Sequence, residues 1–194
     1  MEAQRRSQGC PTAGGGPWAL AEELESKIQA AVAFKMEGHR CYKEKKLREA
    51  IGKYHRALLQ LKGVQGRAGP ERSVPGPGHR PLTEEQLRLV ESTEVECYDS
   101  LTGCLLQGEL VSYARVREYS LKVLEKQRGH FKATYRAGVA SYHLGDYERA
   151  LRYLQEAKSR EPADTNVLRY IQLTELKLLR CARRDRDGYK ALIA

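Results

Sequence analysis

Between Lys132 and Pro162 apolar and polar positions follow a helical period that is interrupted once. Gly138, Tyr142, Leu144, Gly145, Tyr147, Ala150, Leu154, Ala157 and Pro162 sit at the spacings of one helix–turn–helix unit. Small residues fall where two helices would touch, and large ones fall where they would fill the groove. The same spacing occurs earlier: Phe34, Gly38, Ala50, Tyr54 and Ala57 stand in the relative positions of Thr134, Gly138, Ala150, Leu154 and Ala157. A glycine inside a helix costs about 1 kcal/mol against alanine. Its expected return at Gly38 is close approach of the partner helix, with Ala57 facing it. A third unit lies between these two. Thr102 takes the place of the two glycines, 64 residues after Gly38 and 36 before Gly138. The long gap contains a Gly/Pro insertion. The two surplus residues of the short gap fall in GELVSYARV, at the turn.

The pattern predicts a first helix from Trp18 to about Lys45 and a second from about Leu47 to Lys62. Thr83 offers an N-cap, with Gln86 completing a capping box and Glu84 and Glu85 suited to the first turn. A helix to about Gln107 follows, then one from about Tyr113 to Gln127. After Pro162, either Asp164 or Thr165 caps a last helix. It carries Val167, Leu168, Ile171, Leu173, Leu176, Leu178 and Leu179 and becomes strongly charged past Arg180. Residues 1–17 are rich in Gly, Pro and polar side chains and are expected to be a disordered tail. Residues 63–82 read as a flexible loop, too long for a repeat turn. The folded domain is therefore expected over 18–187, with repeats over 31–62, 83–128 and 131–162, a capping helix over 164–187 and a short tail over 188–194.

A helix pair repeating about every 34 residues matches the tetratricopeptide pattern. That resemblance implies an all-α, right-handed superhelix of three helix–turn–helix repeats plus a C-terminal capping helix. It also implies that the first helix of each pair lines the concave side.

Charge and chemistry narrow the function. The formal net charge is +9, which favours acidic partners or a well-solvated surface. The five cysteines, Cys10, Cys41, Cys97, Cys104 and Cys181, are widely spaced and include no CxxC pair. They imply neither a metal site nor a disulfide framework, but reduced thiols in a cytoplasmic protein. No stretch is long and apolar enough to span a membrane, and the N-terminus lacks a signal-peptide core. No nucleophile–base set, phosphate loop, zinc motif or dinucleotide fingerprint is found. The five histidines are scattered. No catalytic residue, cofactor or enzymatic activity is expected.

What remains is a surface. Lys35 and His39 are four apart, as are Lys132 and Arg136, so each pair shares a helix face. Ser100 occupies the corresponding face of the middle repeat. Residues 35–56 hold eight Lys/Arg against three Glu, and residues 111–136 hold seven against two. A basic cradle of this kind can take a carboxylate through charge-assisted hydrogen bonds. The same residues also fit ordinary solvated charges on polar helix faces.

The repeats further resemble those of co-chaperones that hold the acidic C-terminal tails of the ninety- and seventy-kilodalton heat-shock chaperones. That resemblance implies a clamp in which Lys35, Lys132 and Arg136 match by position. His39 and Ser100 stand where the family has two asparagines, so the implied clamp is incomplete. Closer still, YKEKKLREAIGKYHRALLQLKG, ECYDSLTGCLLQ, RVREYSLKVLEKQ and the third repeat resemble the tetratricopeptide repeat protein nine family, over about residues 30–180. That family is similar to the repeat domains of immunophilin-like co-chaperones, which often carry a prolyl isomerase domain ahead of the repeats. Only about 17 residues precede the first helix here, so no isomerase activity is expected.

Three functions are open at this point. The first is an adaptor that binds a peptide or acidic tail in the groove. The second is a structural or cytoskeleton-associated protein that works through its outer face or the C-terminal run LKLLRCARRDRDGYK. The third, nucleic-acid or anionic-membrane binding through net charge, has no motif behind it.

Overall fold

The structure is a computed structural model and describes residues 17–68 and 82–193. Seven helices follow one another: α1 (Pro17–Lys43), α2 (Leu47–Ala68), α3 (Glu84–Gln107), α4 (Tyr113–Lys126), α5 (Phe131–His143), α6 (Tyr147–Arg160) and α7 (Thr165–Ile193). No strand occurs among the described residues. Each helix packs on the next, and α1 also reaches α3 while α5 reaches α7. The result is three stacked hairpins closed by a capping helix, an all-α tetratricopeptide array.

The glycines explain the hairpin packing and correct one expectation. A Cβ on Gly38 would stand 2.7 Å from Tyr54 Cε1, and one on Gly138 would stand 2.8 Å from Leu154 Cγ. The residue that faces Gly38 is thus Tyr54, not Ala57. Ala57 is fully buried one turn further on. A large side chain from the second helix fills the notch left by each glycine. The middle hairpin inverts these sizes: Thr102 and Ser120 take the two corresponding places, and both are buried. Its turn, residues 108–112, is two residues longer than the turns at 44–46 and 144–146.

The short turns need a left-handed residue. Gly145 supplies it with φ 80°, and Lys45 takes the same position with φ 63°. Only glycine adopts that region without strain from its own Cβ.

Helix starts are capped by side chains. Thr83 and Gln86 form the full capping box on α3. Asp164 Oδ1 accepts from the Val167 amide at 2.9 Å, so Asp164 rather than Thr165 caps α7. His130 Nδ1 accepts from the Ala133 amide at 3.2 Å, a cap on α5 that spacing alone did not suggest.

Two boundaries differ from expectation. α2 runs to Ala68, six residues into the stretch read as loop. Leu61 and Val64 are buried in the first core cluster, and their burial carries the helix past Gly63. α7 likewise continues to Ile193, beyond the expected end at 187. The expected disordered tail, apart from Pro17, and the remainder of the loop at 69–81 lie outside the described residues.

A candidate anion-binding groove

The first helices of the three hairpins meet around a cavity of about 530 Å³. α1 contributes Met36, His39, Arg40, Tyr42 and Lys43, while α3 contributes Asp99, Ser100 and Gly103. Lys132 and Arg136 enter from α5, and Tyr54 of α2 reaches it from behind. Helical spacing explains the selection. Positions 39 and 43, 99 and 103, and 132 and 136 are each one turn apart, so each pair rides one face.

Of the five residues singled out in the sequence, His39, Ser100, Lys132 and Arg136 line this cavity. His39 Nε2 and Ser100 Oγ are 3.3 Å apart. Burial, assisted by Lys35, holds the His39 pKa below its usual value, while Glu96 works against the shift.

Lys35 is not in the cavity wall. Its ammonium lies 2.7 Å from Glu96 Oε2 of α3, and its side chain is only 11% exposed. Arg136 is also engaged. Its Nη1 donates to Asp99 Oδ1 at 2.6 Å, to Thr102 Oγ1 at 2.7 Å and to the Asp99 carbonyl at 3.1 Å. Two cations, one from α1 and one from α5, are therefore held by acids three residues apart on α3. Sequence reasoning missed Glu96 and Asp99. The signal was present in EVECYDSL, where the acids at 96 and 99 flank the buried Cys97, but only packing reveals which cations they meet.

The remaining charges are less committed. Among the described residues, Arg40, Lys43 and Lys132 form no ion pair. The cavity thus carries four cationic side chains against one carboxylate, Asp99, which Arg136 already neutralises. Such a field attracts anions and strengthens where the walls exclude water. Gly103 keeps an opening here: a Cβ would stand 3.9 Å from both Arg136 Nη2 and the Tyr42 hydroxyl. The Tyr42 hydroxyl accepts from Gln107 Nε2, which ties the ends of α1 and α3 together.

Elsewhere, Cys41, Cys97 and Cys104 are buried free thiols and Cys181 is exposed. Burial pushes the Cys97 thiol up to about 12 and the Cys104 thiol up to about 11, far from the thiolate form that reacts. No cluster of metal-ligating side chains occurs among the described residues, and none of the described helices is long and apolar enough to cross a membrane.

Comparison with known proteins places this architecture. No family model matches the chain. Tetratricopeptide repeat protein 9C of Xenopus tropicalis is 40% identical over 169 residues, covering 87% of this chain and 95% of that one. The C-terminal tetratricopeptide domain of a putative FK506-binding protein from Plasmodium falciparum superposes with a TM-score of 0.68 at 25% identity, over 82% of this chain and 95% of that one. The tetratricopeptide domain of Arabidopsis OM64 gives a TM-score of 0.52 at 17% identity, over 77% and 97%, which speaks for the fold alone. With this identity spread over nearly the whole length of both chains, the chain belongs to the tetratricopeptide repeat protein nine family.

Proposed function

We propose that the protein is a non-enzymatic adaptor whose concave groove binds an acidic peptide segment, the free C-terminal tail of a heat-shock chaperone being the first ligand to test. The observation that carries this reading is the excess of unpaired cations, Arg40, Lys43 and Lys132, around a cavity formed by the first helices of all three repeats. An acidic tail would bring carboxylates to Lys132 and to the outward side of Arg136, with His39 and Ser100 offering further polar contacts. Lys35, held by Glu96, would contribute field rather than direct contact. The test is a calorimetric titration with an acidic tail peptide ending in a free carboxylate. Lys132→Ala should weaken binding about tenfold, as expected for a charge-assisted hydrogen bond. Unchanged affinity in Lys132→Ala and in a folded Arg136→Ala variant would sink the reading.

A second reading places the contact on the last helix. Leu176 and Leu179 are 52% and 59% exposed, three residues apart, ahead of Arg180, Arg183 and Arg184. This pattern suits a structural or cytoskeletal helix partner. Leu176→Glu with Leu179→Glu should then abolish partner capture, and groove substitutions should not.

A further inference from the structure

Among the described histidines, only His39 lines the groove. His55 lies in a separate hollow between α2 and α4, His130 caps α5, and His143 stacks on Tyr113 at the C-terminal end of α5. His39 is half-buried on α1, one turn after Lys35 and one turn before Lys43, with Arg40 beside it. α2 presents the ring of Tyr54, edge-on with centroids 5.6 Å apart. α3 presents Ser100, whose Oγ is 3.3 Å from His39 Nε2, together with the carboxylates of Glu96 and Asp99. Lys132 and Arg136 of α5 share the cavity wall.

Neither carboxylate is free to serve the imidazole. Glu96 holds the Lys35 ammonium at 2.7 Å, and Asp99 holds Arg136 at 2.6 Å. Ser100 is neutral, and its hydroxyl suits either tautomer of an uncharged ring, accepting from an N–H or donating to a bare nitrogen. The wall thus satisfies the neutral imidazole and leaves the charged one without a counter-ion. Burial, then Lys35 and more weakly Lys43, lowers the His39 pKa accordingly, with Glu96 opposing. The ring is uncharged in the empty groove at neutral pH.

An acidic ligand changes that balance. A carboxylate in the cavity supplies the counter-ion that the fold withholds. It raises the proton affinity of His39, and by reciprocity a protonated His39 raises the affinity for the ligand. The imidazolium still donates from Nε2 to Ser100 Oγ, so protonation requires no rearrangement of the wall.

Building on the groove reading above, we infer that the groove is a proton-linked receptor: it holds an acidic peptide more tightly as pH falls below neutral, because a protonated His39 adds a fifth positive side chain to Arg40, Lys43, Lys132 and Arg136. The sign follows from the pairing. His39 takes its proton at a higher pH in the filled groove than in the empty one, so binding takes up protons and strengthens as pH drops through that window. The carboxylates of the peptide, with a pKa of about 4, stay charged throughout.

The experiment uses the full chain and two synthetic peptides built on one glycine-flanked sequence. One carries two central aspartates and a free C-terminal carboxylate. The other carries asparagines and a C-terminal amide. Calorimetric titration at pH 7.5, 6.5 and 5.5 gives the affinities. Repeating it at pH 6.5 in two buffers of different ionisation enthalpy counts the protons taken up on binding. The acidic peptide is expected to bind about fivefold tighter at pH 5.5 than at pH 7.5, the scale of one added charge near a protein surface. Net proton uptake at pH 6.5 is expected beside it. His39→Gln retains a group that can hydrogen-bond but cannot titrate, and is expected to remove both the slope and the uptake, whatever its affinity at pH 7.5. The proton count needs no sample at pH 5.5, so acid unfolding cannot mask the result. Equal affinity across this range without proton uptake, or a slope and uptake undiminished in His39→Gln, overturns the inference and leaves the acidic-peptide groove standing. An acidic peptide that binds no better than the amidated control at any pH overturns both.

Discussion

The first and third repeats solve one packing problem with different residues, and the difference separates scaffold from site. In both, a glycine on the first helix accepts a large side chain from the second. The third repeat uses Gly138 with Leu154 and turns at Gly145. Each of these choices lowers the energy of the fold. The first repeat uses Gly38 with Tyr54 and turns at Lys45. Each of those departures costs something locally: a phenol hydroxyl buried beside Ser100 in one case, a strained backbone in the other. Tyr54 backs the cavity wall, with its hydroxyl closed to solvent. Lys45 lies outside the cavity wall, and nothing in the structure explains it. Local departures from the best-packed solution thus point to function only where they coincide with a cavity.

The comparison can be broken most sharply at the glycines. Gly38→Val and Gly138→Val should each destabilise the fold by about 2–3 kcal/mol, the cost of overpacking a tight helix contact. Chemical denaturation measures both. Combining Gly38→Val with Tyr54→Leu should recover part of the loss, since a smaller knob meets the filled hole. Full additivity would mean that the two residues do not share one notch.

The turns offer a test of smaller size. Gly145→Ala should cost about 1–2 kcal/mol, because alanine meets the left-handed penalty that glycine avoids. Lys45→Gly should stabilise by about 0.5–1 kcal/mol, the residual after the unfolded chain gains freedom. A destabilising Lys45→Gly would show that the lysine side chain holds its turn through contacts rather than straining it.

Asp99 sharpens the functional half of the comparison. It neutralises Arg136 from within the groove. Asp99→Asn should raise affinity for an acidic peptide about fivefold, the scale of removing one charge near a protein surface. Steeper salt dependence should accompany it. A loss of affinity in a folded variant would mean that Asp99 works by positioning Arg136 rather than by competing with the ligand.

The smallest expected effect concerns pH. The folded-state pKa of His39 is depressed, mainly by burial and next by Lys35 and Lys43, against the opposing Glu96. The unfolded chain then binds the proton first, so stability is complete above about pH 6.5 and declines as pH falls toward the folded pKa. His55 and His143 shift in the same direction, but both are exposed and contribute less. The thermal midpoint should therefore drop between pH 7 and pH 5.5, and His39→Gln should flatten part of that slope. A His39→Gln profile that keeps the full slope would assign the effect to the other two histidines.

Sequence alone was enough for the repeat register, because glycine and alanine at helical spacing mark where backbones approach. It placed Gly38, Thr102 and Gly138 as equivalents, located the two extra residues at 108–112 and found the capping box at Thr83. Four-residue spacing put Lys35 with His39 and Lys132 with Arg136 on one helix face, and position in the middle repeat singled out Ser100; of these five, all but Lys35 line the cavity. Sequence did not determine which acid each cation meets. Glu96 and Asp99 capture Lys35 and Arg136 from residues 61 and 37 positions away in the chain. Such pairings depend on how three hairpins stack. Tertiary structure likewise decided that Tyr54, not Ala57, fills the notch at Gly38, because the offset between paired helices is set by side-chain volume rather than by period. It alone placed the Tyr54 ring behind a basic cavity.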